Sequence, residues 1–403
     1  KNKMKKNKLF LFLITLVITI SCSNNSDENI DSPSNILCDN EGIVIAEEDF
    51  YSFNSEEQLA DFQTLGYTHI NGTLRVSNVS DLSSLACLKS IDHLIITNAN
   101  IANLNGLQNL ENVERLIVTN CDNLVNFEGI GNVSKLDELN IRHNESLINF
   151  EGFESLTTIS YLNIQFNDNL KNLNGLNNLT TTFESDIIDT DTTEINSEIH
   201  ISNNLELLSI ESINNINNKI DRLILHQCHS LINLGNFNML TEFGYLSITF
   251  CNSLITINGF ENVVDMTGLD LGENNSLESF NFPSLERIGI VNINHNLVLN
   301  SLEGFSNLAE IYGSNGDFCF QMDHNPSLTT LNGLESLAYT SKIVSINPFT
   351  ENDLENTCAL TLLVDNYLSV AGTNHLDNHI SVYSQCGGYD FLLYNFDDIC
   401  DCN

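Results

Sequence analysis

Histidine, carboxylate and cysteine side chains are the groups in this sequence that could perform acid–base, nucleophilic or metal chemistry. The chain has 10 His, 53 Asp plus Glu and 11 Cys among 403 residues. It contains no H-E-x-x-H, G-x-S-x-G or paired C-x-x-C sequence and no phosphate-binding P-loop. The His and carboxylates are scattered, so the sequence names no nucleophile, general base or metal ligand set. We therefore expect no enzymatic activity, no cofactor and no metal.

The elements that would position these side chains are defined by a repeat. The pattern L-x-I-x-x-N-x-x-L begins at Leu116, Leu139, Leu162, Leu223, Leu246, Leu269 and Phe320, with weaker copies at Leu74, Leu94, Ile199, Val291 and Val344. Most spacings are 22 to 24 residues, but 37 residues separate Leu162 from Ile199 and 29 separate Val291 from Phe320. Such a period predicts an array of stacked coils.

The repeat also predicts how each coil is built. Leu and Ile at positions 1 and 3 face the same side, because side chains alternate along a strand. Only stacked coils can bury that face. Between the strands recurs a segment such as NLNGLQNL or NFEGIGNV, whose Gly permits a tight return. The pattern indicates a parallel β-sheet with irregular returning walls and few short helices.

Position 6 of the repeat carries an amide or a thiol. The amides are Asn144, Asn167, Asn204, Asn274, Asn296 and Asn325, and the thiols are Cys121, Cys228 and Cys251. The chain turns inward at this point, and an Asn amide can satisfy the buried backbone groups coil after coil. The alternation matches the Asn/Cys slot of the leucine-rich-repeat consensus. We expect the three Cys to be buried free thiols.

The segment FNSEEQLADFQTLGYTHINGTLRVSN, together with the repeats, resembles receptor L-domains and leucine-rich-repeat lipoproteins of Bacteroidetes-type bacteria. The resemblance covers roughly residues 50 to 350. It implies a leucine-rich-repeat solenoid of the L-domain type that binds a ligand or partner and performs no chemistry. It gives little guidance on the ligand, since such solenoids serve many binding tasks.

Residues 1–22 have the pattern of a lipoprotein signal peptide. A Lys-rich start precedes the apolar run Leu9–Ile20, which as a helix would span roughly 18 Å, short of a bilayer core of about 30 Å. The run ends at Ser21-Cys22, which resembles a bacterial lipobox with Thr19 in place of the usual Leu. We expect lipidation of Cys22; ordinary cleavage near Ser21 is the alternative.

The remaining domain boundaries follow from where the repeat begins and ends. Residues 23–37 are predicted to be an acidic flexible tether, 38–73 an N-terminal cap, 74–349 the solenoid and 350–403 a C-terminal cap. Caps are needed because the end coils would otherwise expose apolar edges. A short helix over Ser55–Leu65, with apolar Leu59, Phe62 and Leu65, is expected in the first cap.

Seven cysteines fall outside the anchor and position 6: Cys38, Cys87, Cys319, Cys358, Cys386, Cys400 and Cys402. An exported chain permits disulfides, and we expect Cys38 to pair with Cys87 and Cys358 with Cys386. The C-x-C at the end is too little for a zinc site.

An acidic loop over 184–198 is expected within the longest spacing. Its carboxylates suit either a solvated loop or a calcium site, although an EF-hand pattern and a central Gly are lacking.

The formal net charge of −38 limits the partners. Nucleic acid and anionic lipid surfaces both need clustered Lys and Arg. We therefore expect no nucleic-acid partner, and membrane contact only through lipid on Cys22.

The distinctive outward residues at positions 4 and 5 define a predicted ligand-binding face. We select Arg142, His143, Gln165, Phe166, His226, Gln227, Phe250, Glu273, His295 and His324. Exposed rings on a polar sheet suit contact with a protein or a glycan. They favour a cell-surface adhesion or binding protein, lipid-anchored and exposed on the outer membrane. The alternatives are a structural envelope spacer or assembly scaffold, whose rings are merely tolerated, and, least favoured, an accessory to a hydrolase or an unrecognised enzyme.

Overall fold

The computed structural model describes residues 43–183, 197–313, 318–341, 343–347 and 380–382. The chain divides into the compact units Lys1–Asp39 and Asn40–Asn403, and every described residue belongs to the second. The predicted signal peptide with Cys22, the tether, most of the acidic loop 184–198 and most of the C-terminal cap lie outside the described residues. So do Cys38, Cys358, Cys386, Cys400 and Cys402.

Nearly every described element is a short parallel strand. The strands are β1 (Phe50–Phe53), β2 (His69–Ser77), β3 (Ser90–Thr97), β4 (Asn112–Thr119), β5 (Lys135–Arg142), β6 (Thr158–Gln165), β7 (Thr181–Thr182), β8 (Glu198–Ser202), β9 (Arg222–His226), β10 (Glu242–Thr249), β11 (Thr256–Ile257), β12 (Asp265–Gly272), β13 (Ser279–Phe280), β14 (Arg287–Asn294), β15 (Glu310–Ile311), β16 (Phe318–Asp323), β17 (Tyr339–Thr340), β18 (Ile343–Asn347) and β19 (Ile380–Val382). Within the described residues, β11 pairs with β13 and the others form one 17-stranded parallel sheet. The predicted parallel β-solenoid is confirmed.

The core is a column of aliphatic side chains in register from coil to coil. Leu139 aligns with Leu162, and Ile141 with Ile164, and all four are fully buried. Three-residue 3-10 turns occur at Ser83–Leu85, Glu211–Ile213 and Glu303–Phe305. Burial of each Leu or Ile side chain contributes about 1.5–3 kcal/mol, and this repeated burial holds the coils together.

The returning wall is built from stacked Phe rings and glycines. The rings of Phe127 and Phe150 lie 5.1 Å apart on adjacent coils. Gly152 has φ 113°, and a Cβ there would lie 2.0 Å from the Phe127 carbonyl oxygen. Only Gly fits this close approach, because its backbone is left-handed and the neighbouring coil occupies the side-chain space.

The Asn residues at position 6 form the expected buried ladder. The Oδ1 of Asn167 accepts a hydrogen bond from the backbone N–H of Asn144 at 3.0 Å, and Asn167 Nδ2 donates to the Ile141 carbonyl at 3.1 Å. The same two bonds recur at Asn296 and Asn325. Each amide thus joins neighbouring coils where no strand bonds exist, and all six predicted Asn are fully buried.

The three position-6 thiols are free and fully buried, as predicted. Cys228 Sγ contacts the Ile201 carbonyl at 3.8 Å and Cys251 Sγ contacts the Leu225 carbonyl at 3.9 Å, which are the carbonyls that an Asn would bind. Burial raises the pKa of Cys121 to about 11 and that of Cys228 to about 12.

Two of the other predicted cysteines fall in the described part. Cys87 is disulfide-bonded; its expected partner, Cys38, lies outside the described residues. Cys319, considered for a disulfide in the sequence, is fully buried in the core.

A short helix near the start of the array covers apolar surface. Helix α1 spans Glu56–Gln63, with Ser55 as its N-cap, and the Ser55 hydroxyl accepts a hydrogen bond from the Gln58 N–H at 3.3 Å. Leu59 and Phe62 are buried as expected, but Leu65 is 53% exposed. The helix ends before Leu65, so the prediction that this residue covers the first coil was wrong.

In most long strands the pairing with the neighbour is interrupted at one position while the register is kept. Between β5 and β6, Leu136 aligns with Ile159 and Glu138 with Tyr161, so Asp137 and Ser160 lie opposite each other without pairing. We call this position the notch. Both long spacings enter here: β6 pairs first with β7 and then with β8, and β14 pairs first with β15 and then with β16.

Candidate functional site

The outward side of the sheet carries the candidate site. Its side chains come from position 2, position 4 and the residue before position 1 of each coil. We call this surface the sheet face. Its central part lies on β5, β6, β8, β9, β10 and β12, which are consecutive neighbours in the sheet.

Arg142 is fixed on the sheet face by amides. With the Asn163 amide oriented so that its oxygen faces Arg142, the guanidinium donates two hydrogen bonds to that oxygen, at 2.6 and 2.9 Å. On the next strand, the Gln165 amide lies 3.3 Å from His200 Nδ1. Among the described residues no carboxylate lies within ion-pair distance of Arg142, so its charge is available to a partner.

Glu198 and His200 occupy the half-buried centre of the sheet face. Glu198 lies 3.3 Å from the Arg222 guanidinium and 3.9 Å from His200. Burial raises the pKa of Glu198, which Arg222 partly offsets. Burial lowers the pKa of His200, and the charges of His226, Arg142 and Arg222 lower it further. These surroundings therefore disfavour the charged form of each residue, the Glu198 carboxylate and the His200 imidazolium.

The Tyr245 ring lies over Gly268 of the next coil, which has no side chain and so leaves room for the ring. Gly268 is aligned with Tyr245, and a Cβ at Gly268 would come within 2.7 Å of the Tyr245 ring. The Arg222 guanidinium lies 6.0 Å from the centre of the same ring, within cation–π range. Burial raises the pKa of Tyr245 to about 12. The Tyr245 ring is thus held between Gly268 and the Arg222 guanidinium.

His226, Thr249 and Phe250 extend the site toward the ends of the strands. His226 Nδ1 lies 2.7 Å from the Thr249 hydroxyl. The Phe250 ring meets the His226 ring edge-on, with centroids 5.4 Å apart. Burial lowers the pKa of His226, and the charge of His229 adds to that effect.

Asp270 is the half-buried carboxylate at the far side of this cluster. It accepts hydrogen bonds from Ser247 at 3.1 Å and Asn292 at 3.0 Å. Burial raises its pKa, while these two donors lower it. The carboxylate is thus satisfied within the sheet face.

The prediction that position 5 is a strand position was wrong. Strands β5 and β6 end at position 4, and the following residue turns into the left-handed region. The φ values of His143, Phe166, Asn203, Gln227, Phe250, Glu273, His295 and His324 lie between 53° and 60°. From His143 to His295 their N–H groups still reach the next coil, as His143 N–H does to the Gln165 carbonyl at 3.1 Å. We call this column the corner.

The predicted site residues therefore divide between two surfaces. Arg142, Gln165 and His226 lie on the sheet face, and the other seven lie on the corner. The corner rings stack along the array: His143 with Phe166 at 4.7 Å and His295 with His324 at 4.3 Å. Gln227 and Glu273 are half-buried on the same column.

Sequence reasoning missed Glu198, His200, Arg222 and Tyr245. They occupy position 2 and the residue before position 1, which vary freely in the repeat. The signal that was available is alternation, since these positions share a strand face with position 4.

The described residues include no group of three or more His, Cys, Asp or Glu arranged to hold a metal ion. They also include no helix long and apolar enough to span a bilayer. The sheet face and the corner offer a ligand hydrogen-bonding groups, aromatic rings and isolated charges.

Structural comparison identifies leucine-rich-repeat proteins as neighbours of this solenoid. A leucine-rich-repeat protein from Bacteroides ovatus ATCC 8483 is 17% identical, with 61% of this chain and 76% of that chain covered and a TM-score of 0.26. The protein in the TLR13–ssRNA13 complex is 14% identical, with 75% and 50% covered and a TM-score of 0.25. No protein-family model and no curated protein matches the sequence. The class, a leucine-rich-repeat-type solenoid, is defined by the strand ladder and the buried Asn column.

Proposed function

We propose that this protein is a lipid-anchored binding or adhesion protein of the cell surface that docks a protein partner on its sheet face. The observation that carries the proposal is the ordered pair of Arg222 and Tyr245 over Gly268. A ring already fixed in place loses little conformational freedom on binding. Arg and Tyr are also the residue types that dominate protein interfaces.

A second Arg–Tyr pair lies nearer the N-terminal ends of the strands. The Arg287 guanidinium lies 5.2 Å from the Tyr312 ring centre, and the Tyr312 hydroxyl donates to the Met266 carbonyl at 2.9 Å. Arg287 is held by Asp265 at 3.4 Å and Glu310 at 3.0 Å. Two preorganised anchors on one sheet favour a macromolecular partner over a small ligand.

The surface location is supported by the sequence alone. A lipid on Cys22 followed by the polar stretch 23–37 would hold the solenoid away from a bilayer at the end of a flexible linker. The resemblance of the sequence to leucine-rich-repeat lipoproteins favours the outer membrane as the location. The absence of a recognisable catalytic constellation in the sequence is in keeping with a binding role.

A protein array of extracellular domains, probed with the purified full-length chain, tests the proposal. We expect the wild type to retain a partner that Tyr245→Ala and Arg222→Ala each bind at least about 10-fold more weakly, a loss of about 1.4 kcal/mol. Glu128→Ala is the matched control, because Glu128 is exposed on the returning wall. If Tyr245→Ala binds as well as the wild type, or no partner is found, the spacer or scaffold interpretation is favoured.

A further inference from the structure

The corner beside β3 to β6 encloses a groove that is separate from the central sheet face. Its volume is about 760 Å³, and residues of four successive coils line it. Functional small-molecule pockets commonly have volumes of roughly 300–1,000 Å³. The groove and its ligand can be tested independently of a protein partner on the sheet face.

One part of the groove is an aromatic platform. His143 and Phe166 stack at 4.7 Å with an angle of 6° between their planes. Because Phe166 covers one face of the imidazole, the opposite face is the one available to a ligand. The left-handed backbone at both residues, with φ of 53° and 55°, fixes these side chains outside the strands. Phe166 remains 41% exposed.

The rest of the groove is lined by amides that can both donate and accept. Asn98 and Asn120 lie on the corner, and Asn100 and Asn123 lie one turn further along their coils. Asn123 Nδ2 donates to Asn100 Oδ1. This bond leaves the side-chain amino group of Asn100 and the side-chain oxygen of Asn123 for a ligand.

The charges of the groove exclude an anionic ligand. Asp122, Glu145 and Asp168 are exposed there, and no Lys or Arg lines it. Within the described ranges none of the three carboxylates has an ion-pair partner. Carboxylates only accept hydrogen bonds, so a suitable ligand must offer many donors without negative charge.

We infer that this groove binds a neutral oligosaccharide. Sugar hydroxyls would donate to the carboxylates and exchange hydrogen bonds with the amides, and a C–H face of a sugar ring would lie on His143. Adjacent coils repeat about every 4.8 Å, so a chain of sugars along the array would meet the corner amides of Asn98 and Asn120 and then the rings of His143 and Phe166. The ligand class follows from the combination of an aromatic platform with planar polar side chains and no cation.

A Lys- or Arg-rich peptide is the competing ligand, because the carboxylates would attract it. Ammonium and guanidinium groups only donate hydrogen bonds, however, so only the peptide backbone could accept from the amino groups of Asn98, Asn100 and Asn120. A hydroxyl both donates and accepts, so it matches the amides as well as the carboxylates. The lining therefore favours the sugar.

The test is a binding screen of the full-length chain against neutral gluco-, manno-, galacto- and xylo-oligosaccharides, with hexalysine as the cationic probe. We expect at least one neutral oligosaccharide to bind, with an affinity that changes less than about 2-fold between low and high salt, because no charge is neutralised. Phe166→Ala and His143→Ala should each weaken that binding at least about 10-fold while leaving the thermal midpoint unchanged.

Phe250→Ala is the matched control. Phe250 has the same left-handed backbone, φ 58°, but lies outside the groove, so its loss should change sugar affinity less than about 2-fold. The inference is overturned if no neutral oligosaccharide binds, if only hexalysine binds with steep salt dependence, or if Phe250→Ala weakens sugar binding as much as Phe166→Ala. Tyr245→Ala, which tests the protein partner, should leave sugar binding intact.

Discussion

The amide of Asn144, next to the corner, satisfies two backbone groups of the preceding coil. Asn144 Oδ1 accepts the Cys121 N–H at 3.0 Å, and Asn144 Nδ2 donates to the Val118 carbonyl at 3.2 Å. Both backbone groups are buried beneath the corner, where neither water nor a strand partner can replace the amide. Each buried group left without a partner costs about 1–3 kcal/mol.

Asn144→Ala should therefore lower the free energy of unfolding by about 2–5 kcal/mol, seen as a large drop in thermal midpoint. Asn144→Cys should cost less, because Cys already fills this slot at Cys228 and Cys251. Asn123→Ala is the exposed control and should change stability by less than about 0.5 kcal/mol. Equal losses at Asn144 and Asn123 would contradict the role assigned to the buried column.

A pH effect is expected from His200. Its pKa is lowered from 6.5, chiefly by burial, so the unfolded chain takes up a proton below about pH 6.5 before the folded chain does. The stability contributed by neutral His200 is therefore present above this pH and lost as pH falls toward the lowered pKa. We expect the thermal midpoint to fall between about pH 7.5 and about pH 5.5, and to fall less in His200→Gln. An identical fall in both proteins would exclude His200 as a source of the pH dependence.

The amide and thiol column could be predicted because its side-chain chemistry is visible at a fixed spacing. The left-handed corner could not. Asn98, Asn120 and Asn203 are residue types that tolerate positive φ, but Phe166 and Phe250 carry no such signal. The ladder bond from each corner N–H to the next coil imposes the conformation, so tertiary structure decides it.

The returning wall depends on glycine at one place in most of the described coils. A Cβ at position 152 would fit only if the Phe127 carbonyl moved away. A Cβ at position 131 would have its nearest neighbour 3.8 Å away, at an ordinary contact distance. Gly152→Ala should cost more than about 3 kcal/mol, because strained backbone alone costs about 1–3 kcal/mol. Gly131→Ala should stay within about 1 kcal/mol of the wild type. Chemical denaturation measures both, and a small effect of Gly152→Ala would mean that the coils are less closely stacked.

Strand positions followed from the alternation of Leu and Ile, but strand bounds did not. Strands β5 and β6 begin four residues before position 1 of the motif. Leu136 and Ile159 are buried there and aligned, but the notch between them and position 1 interrupts the alternation. A pattern search with period two therefore starts each strand too late.

The proposed membrane attachment concerns the whole chain and rests on the sequence of the first 22 residues. If Cys22 is lipidated, Cys22→Ala should move the protein from the membrane fraction to the soluble or secreted fraction, because the acyl chains contribute about 0.8 kcal/mol per buried methylene. Fractionation and fatty-acid labelling measure this. Unchanged membrane partitioning, together with no labelled lipid on the wild type, would rule out the anchor. Ser21→Ala keeps a small residue before the Cys and should still be lipidated.

For the whole molecule, the repeat predicted the solenoid. Its period implies stacked coils, whichever residues occupy the variable positions. It did not predict the centre of the sheet face. Glu198, Arg222 and Tyr245 lie on three neighbouring strands but are 23 or 24 residues apart in the sequence. Only the register of the strands brings them together.

The notch has a consequence for how such an array can change. An insertion at this position leaves the two strand pieces on either side bonded to the same neighbour, as β7 and β8 are to β6. Extending the segment between coils from 23 to 37 residues, the spacing before Ile199, raises the entropy cost of loop closure by only about 0.4 kcal/mol. New sequence can therefore be acquired beside Glu198, at the edge of the sheet face, while the stacking of every other coil is preserved.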